Sequence, residues 1–434
     1  MNETEKMLAF VEKSPSAYHA VDNICSTLDK DGFTRLEEEE KWEIQPGKHY
    51  FVVRNGSSVI AFKVPQSSAE NFQIVAAHDD SPAFKIKECA TNSASKPYVL
   101  INCERYGGMI LSTWLDRPLS VAGRLLVRKD GAIETVLVDA QEDVALIPNL
   151  AIHMDRQMNE GYVYQPHRDM RPVFGLGEDG ENRFLELLAK KAGVEKSEII
   201  QKELILYNRM PGSIWGADRE FVSSPRLDDL QCVYGALEGF RQGENKNSVS
   251  VLAIFDNEEV GSETRQGADS EFLKDVLKRI FLALGKTEEE FCQAIASSFM
   301  VSADNAHAVH PNHPEKADAD NKPFINGGIV IKFSPKYATD AESAAVWKEI
   351  CALADVPVQV YMNRSDIAGG ATLGRISGTH VSIPTVDIGL AQLAMHSSYE
   401  TAGTKDSEFL VRAVEKFYSV WIKRNGTRIK LVTE

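Results

Sequence analysis

Nowhere in this chain do 18 apolar residues follow one another, so no segment reads as a bilayer-crossing helix. Cysteine is scarce: the six, at positions 25, 89, 103, 232, 292 and 351, include no CxxC pair. That scatter argues against a disulfide framework and predicts reduced, buried thiols in a cytoplasmic protein. Basic residues are outnumbered, 48 Lys and Arg against 63 Asp and Glu, for a formal net charge of −15. So acidic a surface repels phosphate backbones and argues against nucleic-acid binding. Residues 1–13 are amphipathic and charged, lacking the apolar core of a secretion signal. Internal repeats, low-complexity tracts and heptad arrays are missing too.

Core material is plentiful: 43% of the 434 residues are hydrophobic. That length favours two domains over one. Helical periodicity marks 4–11 and 17–28, separated by Ser14-Pro15-Ser16. Strand-like runs come next at 50–53, 58–64 and 72–77. Beyond residue 90 the texture changes to short strands at 98–103, 119–127 and 133–138, the last two joined by the hairpin-type pair Asp130-Gly131. A polar stretch at 157–172 and a flexible linker at 175–182 lead to a helix at 183–192. From about residue 221 the pattern alternates. Helices are predicted at 230–240, 272–284, 341–354 and 407–421, strands at 249–255, 298–302, 328–333 and 356–361. Alternation of this kind predicts an α/β fold, a mixed, largely parallel sheet sandwiched by helices. The expected organisation is a discontinuous α/β domain, 1–91 with 220–434, interrupted by a β-rich insert at 92–219.

Residue types that bind metals end several apolar runs. The run 72–77 leads into His78-Asp79-Asp80, at the strand exit where α/β folds place ligands. Asp80 can reach the second imidazole nitrogen of His78 and fix its tautomer. Ser223-Ser224-Pro225-Arg226-Leu227-Asp228-Asp229 reads as a helix entry, with Asp229 serving the helix dipole and Asp228 open to either role. The run 249–255 leaves Glu258 and Glu259 at its exit. Adjacent residues on an extended segment face opposite ways, so one can ligate a metal while the other reaches the water it activates. Asp304 ends another strand, ahead of His307, His310 and His313, which Pro311 and Pro314 keep from sharing a helix face. His396 comes after an apolar stretch, with Ser397, Ser398 and Glu400 beyond it. Singly, each has a plain structural reading: a polar turn, a helix cap, an acidic loop, a buried histidine. Together, two histidines and several carboxylates make the donor set of a zinc-type hydrolytic site.

Five segments in order carry a resemblance: Ala77-His78-Asp79-Asp80-Ser81-Pro82, Ser224-Pro225-Arg226-Leu227-Asp228, Asp256-Asn257-Glu258-Glu259-Val260-Gly261-Ser262, Ser302-Ala303-Asp304-Asn305-Ala306-His307-Ala308-Val309-His310-Pro311-Asn312, and Leu393-Ala394-Met395-His396-Ser397. They resemble the aspartyl aminopeptidase family, co-catalytic zinc peptidases that include the vacuolar aminopeptidase I type, nearly end to end. The resemblance implies two divalent metal ions per subunit, zinc foremost, with cobalt or manganese also suited to the donors. One would be held by His78, Asp228 and Asp304, the other by Asp228, Glu259 and His396, with Asp228 bridging. Glu258 would be the general base and Asp80 the partner of His78. The insert becomes a dimerisation domain, and the assembly a dodecamer built from dimers. His153, in Ile152-His153-Met154-Asp155-Arg156, would contact substrate or metal in a neighbouring subunit. Lys332 would face the acidic side chain of the substrate, and His310 would lie near the pocket. Arg364-Ser365-Asp366 and Gly369-Gly370-Ala371-Thr372 depart from the family's commoner threonine-cysteine-glycine wording.

The expected activity is hydrolysis of N-terminal residues, acidic ones above all, from peptides by a two-metal-activated water. The expected partners are peptides and further copies of the chain, with no nucleic acid and no membrane. Three readings compete with it. The same dinuclear design serves carboxypeptidases and deacylases. A metal-free glycosidase would pair Glu258 with a distant acid. An oligomeric scaffold could use the same fold without catalysis.

Overall fold

The computed structural model describes residues 1–433 apart from Ser68, Ala368 and Ala371, and the backbone alone for 93–95. Ala371, in the segment that departs from the family wording, therefore lies outside the described residues. Nine strands form the central sheet. Their order is Thr34–Leu36, His49–Arg54, Ser58–Lys63, Ser248–Phe255, Asn71–His78, Phe299–Ala303, Thr385–Gly389, Ile329–Phe333 and Val358–Met362. Five neighbouring pairs are parallel and three antiparallel. This is the mixed, largely parallel sheet that the alternation predicts.

Strands Ser248–Phe255 and Asn71–His78 are buried along their whole length. Their side chains divide by parity, as a period of two demands. Leu252, Ile254, Val75 and Ala77 enter one core; Val251, Ala253, Phe255, Phe72, Ile74 and Ala76 enter the other. Helices Glu3–Glu12, Ala17–Lys30, Leu227–Gln242, Ala341–Leu353 and Asp406–Ser419 cover the first face. Helices Phe272–Ala283, Glu288–Ser297 and Leu373–His380 cover the second. Asn2, Thr287 and Asp340 begin three of these helices with reciprocal capping boxes. Helix Leu227–Gln242 presses so closely on Asp406–Ser419 that a Cβ at Gly235 would lie 2.5 Å from Leu410, and one at Gly239 2.6 Å from Val414.

A second sheet takes its six strands from between residues 83 and 208. The order is Ala132–Asp139, Leu119–Lys129, Ile199–Asn208, Ala83–Ser95, Tyr98–Tyr106 and Val173–Leu176, antiparallel throughout. Asp130 and Gly131 both have positive φ, 49° and 83°, and turn its first hairpin. Phe84, Trp114, Leu125, Phe184 and Leu188 fill its separate core. A five-stranded third sheet (Ser213–Trp215, Phe221–Ser224, Glu400–Gly403, Ala391–Leu393, Ala306–His307) carries loops that reach the central sheet's edge.

Three expectations fail locally. The stretch 175–182 is no flexible linker: Val173–Leu176 pairs with Tyr98–Tyr106, and a helix runs Gly180–Ala192. Gly180 is small because it packs against Val99 and Thr91, not because the chain bends there. The last helix ends at Ser419, and a hairpin closes the chain, Val420–Asn425 with Arg428–Thr433. Cys25, Cys232 and Cys351 are buried free thiols, but Cys89 and Cys292 are exposed. Among the described residues no helix is long and apolar enough to cross a membrane.

Candidate metal centre

Parallel pairing brings distant candidate ligands to one edge of the sheet. His78 ends its strand opposite Phe255, so Glu258 and Glu259 leave the neighbouring strand just beyond it. Phe299–Ala303 pairs on the other side of Asn71–His78, and Asp304 comes at once after it. Asp228 sits at a kink in the entry of helix Leu227–Gln242, with φ −82° and ψ 107°. His396 lies in the turn between Ala391–Leu393 and Glu400–Gly403, at φ 67°. Asn257 (φ 64°) and Arg226 (φ 58°) share that left-handed conformation, which is uncommon for residues other than glycine.

His78 Nε2 lies 3.6 Å from Asp228 Oδ1. His396 Nε2 lies 3.4 Å from Asp228 Oδ2 and 3.4 Å from Glu259 Oε1. Donor atoms of His78, Asp228 and Asp304 fall within 4.8 Å of one another, as do those of Asp228, Glu259 and His396. Asp228 belongs to both groups. Its Oδ1 and Glu259 Oε1 are buried and take part in no hydrogen bond. Such oxygens are costly unless a cation or donor meets them. Imidazole nitrogens mixed with carboxylate oxygens fit zinc and related divalent ions.

The surrounding hydrogen bonds hold these side chains and their loops in place. Asp80 accepts from Glu258 N (3.0 Å), Glu259 N (3.1 Å) and the Tyr106 hydroxyl (2.6 Å). His78 Nδ1 is 3.3 Å from Asp80 Oδ1 and closer, 3.1 Å, to the Asp80 carbonyl. Glu400 accepts from Asp228 N (2.9 Å) and His396 N (2.7 Å). Asp229 accepts from His78 N (3.3 Å) and Asn305 N (3.2 Å), so it ties two ligand segments together and does not serve the helix dipole. The second sheet closes the wall: a Cβ on Gly107 (φ 73°) would come 3.1 Å from Glu259 Cβ.

Electrostatics call for positive charge here. Burial raises the Asp228 carboxyl, yet the imidazoles of His396 and His78 beside it outweigh burial and hold it well below the usual range. Burial, reinforced by Asp228, lifts Glu259 well above its ordinary value. Burial pushes Glu258 to about 7, with His78 opposing and Asp304, Asp80 and Asp228 assisting. Burial and Asp228 push Glu400 to about 8. Divalent cations would reverse the repulsion behind these shifts.

A cavity of about 210 Å³ is lined by His78, Asp228, Glu258, Asp304, Lys332 and His396. Lys332 is buried, its Nζ 3.5 Å from Asp304 Oδ2. His307 joins this cavity to a neighbouring one of about 280 Å³, which His310 lines. His310 itself is exposed, as is His153, which lies outside both ligand groups of its own chain. Glu400, Tyr106 and Asn305 were not singled out by the sequence. Glu400 and Asn305 act through backbone amides, which no side-chain pattern announces.

Over residues 10–418 the chain matches the family described as aminopeptidase I zinc metalloprotease (M18). It is 46% identical over 425 residues to Probable M18 family aminopeptidase 2 of Clostridium acetobutylicum, covering 96% of this chain and 98% of that protein. Its fold superposes on a chain in the cryo-EM structure of the Ape4 and Nbr1 complex with a TM-score of 0.93 at 36% identity, covering 96% of this chain and 85% of that one. It is also similar to the S. cerevisiae mApe1 dodecamer structure, with a TM-score of 0.85, 29% identity and 96% coverage of both chains. Sequence and fold agree: the chain belongs to the M18 family of zinc aminopeptidases.

Proposed function

We propose that this chain releases N-terminal acidic residues from peptides at a dinuclear centre, with His78, Asp228 and Asp304 holding one divalent ion and Asp228, Glu259 and His396 the other. The observation that carries this reading is the pair of donor triads sharing Asp228. Bound there, divalent ions acidify water and polarise a scissile carbonyl. Glu258 borders the same cavity without belonging to either triad. It takes the proton from the attacking water and passes it to the leaving nitrogen. Asp80 fixes His78 and, through two backbone amides, the loop carrying Glu258 and Glu259.

Lys332 supplies the acidic preference. Its ammonium is held protonated, since Asp304 outweighs the effect of burial. Once Asp304 is committed to a divalent ion, that charge is open to a substrate carboxylate in the same cavity. The 92–219 insert acts as the dimerisation domain. Leu150, Ile152, Met154 and Val163 are exposed on it, large apolar side chains suited to burial in an assembly. The mApe1 dodecamer makes twelve copies the reading for this chain, with His153 reaching a neighbouring site. Free cysteines suit a cytoplasmic setting.

One experiment tests the core of this reading. Glu258→Gln, loaded with zinc, keeps two metal equivalents and loses about 10²–10⁴-fold in kcat. Near-normal turnover removes Glu258 from the base role. Assaying Asp-, Glu-, Leu- and acetyl-Asp-peptides with the wild type reads the specificity. Equal rates on Asp and Leu end the acidic preference, and cleavage of the acetylated peptide ends the aminopeptidase assignment. Mass in solution checks the assembly.

A further inference from the structure

A second cluster lies behind the turn that carries His78, and it contains no nitrogen. Carboxylate oxygens of Asp79, Asp80 and Asp256 come within 4.8 Å of one another, and all three residues are buried. Their exposures are 3%, 5% and 5%. None forms an ion pair with lysine or arginine among the described residues. Parallel pairing explains the convergence: Phe255 sits opposite His78, so the residues after each meet beyond the strand ends.

Asp79 is the telling member. Both of its carboxylate oxygens are buried without a hydrogen-bond partner. Its backbone is satisfied by donation to Phe255 O, so the side chain alone lacks a partner. Asp80 accepts four contacts already, from Glu258 N, Glu259 N, Tyr106 and His78. Asp256 Oδ1 accepts from Asn257 N and Nδ2. Its backbone N donates to Ser58 Oγ. Three carboxylates side by side, one of them with no donor at all, need either protons or a cation. All three line one cavity of about 100 Å³, large enough for about three waters. Waters there can complete a coordination shell that three side chains only begin.

We propose that Asp79, Asp80 and Asp256 form a third cation site, separate from the dinuclear centre, for a hard divalent ion of calcium's kind. Oxygen-only donors select such ions over zinc, which prefers nitrogen and sulfur beside oxygen. Calcium tolerates irregular geometry and keeps waters, and oxygen separations up to 4.8 Å suit its ligand distances of about 2.3–2.6 Å. Through Asp80 the ion steadies the Glu258–Glu259 loop and the imidazole of His78. The site is therefore a structural brace and takes no part in proton transfer.

The test uses full-length protein with its zinc bound, dialysed against 1 mM-scale CaCl₂, then against MgCl₂ and MnCl₂ in parallel. Metal analysis is expected to find one equivalent of calcium per chain beyond the zinc, and calcium to raise the thermal midpoint by about 3 °C. Asp79→Asn is expected to lose the added equivalent and the shift while keeping its zinc. Asp256→Asn, read the same way, serves if Asp79→Asn does not fold. Binding of magnesium or manganese in calcium's place, lost in the same variants, also supports the site. Equal content and midpoint with and without all three salts overturns it and leaves protons as the partners. An added equivalent that persists in both variants overturns it as well, because the ion then sits elsewhere. Zinc retention is a separate readout, so failure here is distinguishable from failure of the dinuclear reading.

Discussion

The central sheet and the six-stranded sheet bury their strands differently. Ser248–Phe255 and Asn71–His78 are sealed on both faces, whereas Ala132–Glu134 and Thr135 of the second sheet's edge lie open to solvent. Both sheets contribute to the centre, but in different ways. The doubly covered strands deliver His78, Glu258, Glu259 and Asp304 from their ends. The six-stranded sheet delivers only a wall, through Tyr106 and Gly107. Chemistry that tolerates little displacement rests on the strands with the least freedom, and shaping is left to the more open sheet.

The largest contrast comes from Asp228, the residue common to both proposed triads. Asp228→Ala is expected to release both zinc equivalents and drop turnover to background, while circular dichroism stays near wild type. Full occupancy of both positions in this variant would show that Asp228 is no bridge. Next in size is a stability comparison between the sheets. Phe72→Ala, in the doubly covered strand, is expected to cost about 3–5 kcal/mol. Ile133→Ala, 66% exposed on the second sheet, is expected to stay within about 0.5 kcal/mol. Similar midpoints in a denaturant series would erase the distinction.

The smallest effect tests the central sheet's periphery. His380, at the end of helix Leu373–His380, touches Asp269 (2.7 Å) and Glu271 (2.9 Å). Hydrogen bonds to Asp269 and Glu271 raise its pKa above the ordinary 6.5. A histidine raised on folding contributes fully below that ordinary value and loses its contribution as pH climbs through the raised one. Amide exchange of this helix, corrected for intrinsic rates, should therefore quicken across that window, and His380→Gln should flatten the change. Identical profiles would dismiss the clamp.

Much of this arrangement is readable in the chain because burial on both faces leaves a continuous apolar run. The stretch 249–255 announces its strand, and the switch to Asp256-Asn257-Glu258-Glu259 at its exit stands out by its charge. The closing hairpin escapes that logic. Val420 and Ile422 face inward while Lys423 and Arg424 do not, and the pattern merges with the preceding helix. Asp229 misleads for another reason: an acid at a helix entry invites a dipole explanation, yet its φ/ψ is non-helical and its carboxylate receives two amides. Glu400 is silent because its partners are backbone amides. Asp79 looks like a spare acid in a polar turn until the fold places Asp256 beside it.

His396 lies late in the chain, and the helix that braces Asp228 comes later still, at Asp406–Ser419. A nascent polypeptide emerging from the ribosome therefore exposes His78, Asp228, Glu259 and Asp304 before either His396 or that helix is made. On the proposed ligand set, fragments that stop before His396 are born without a complete second triad.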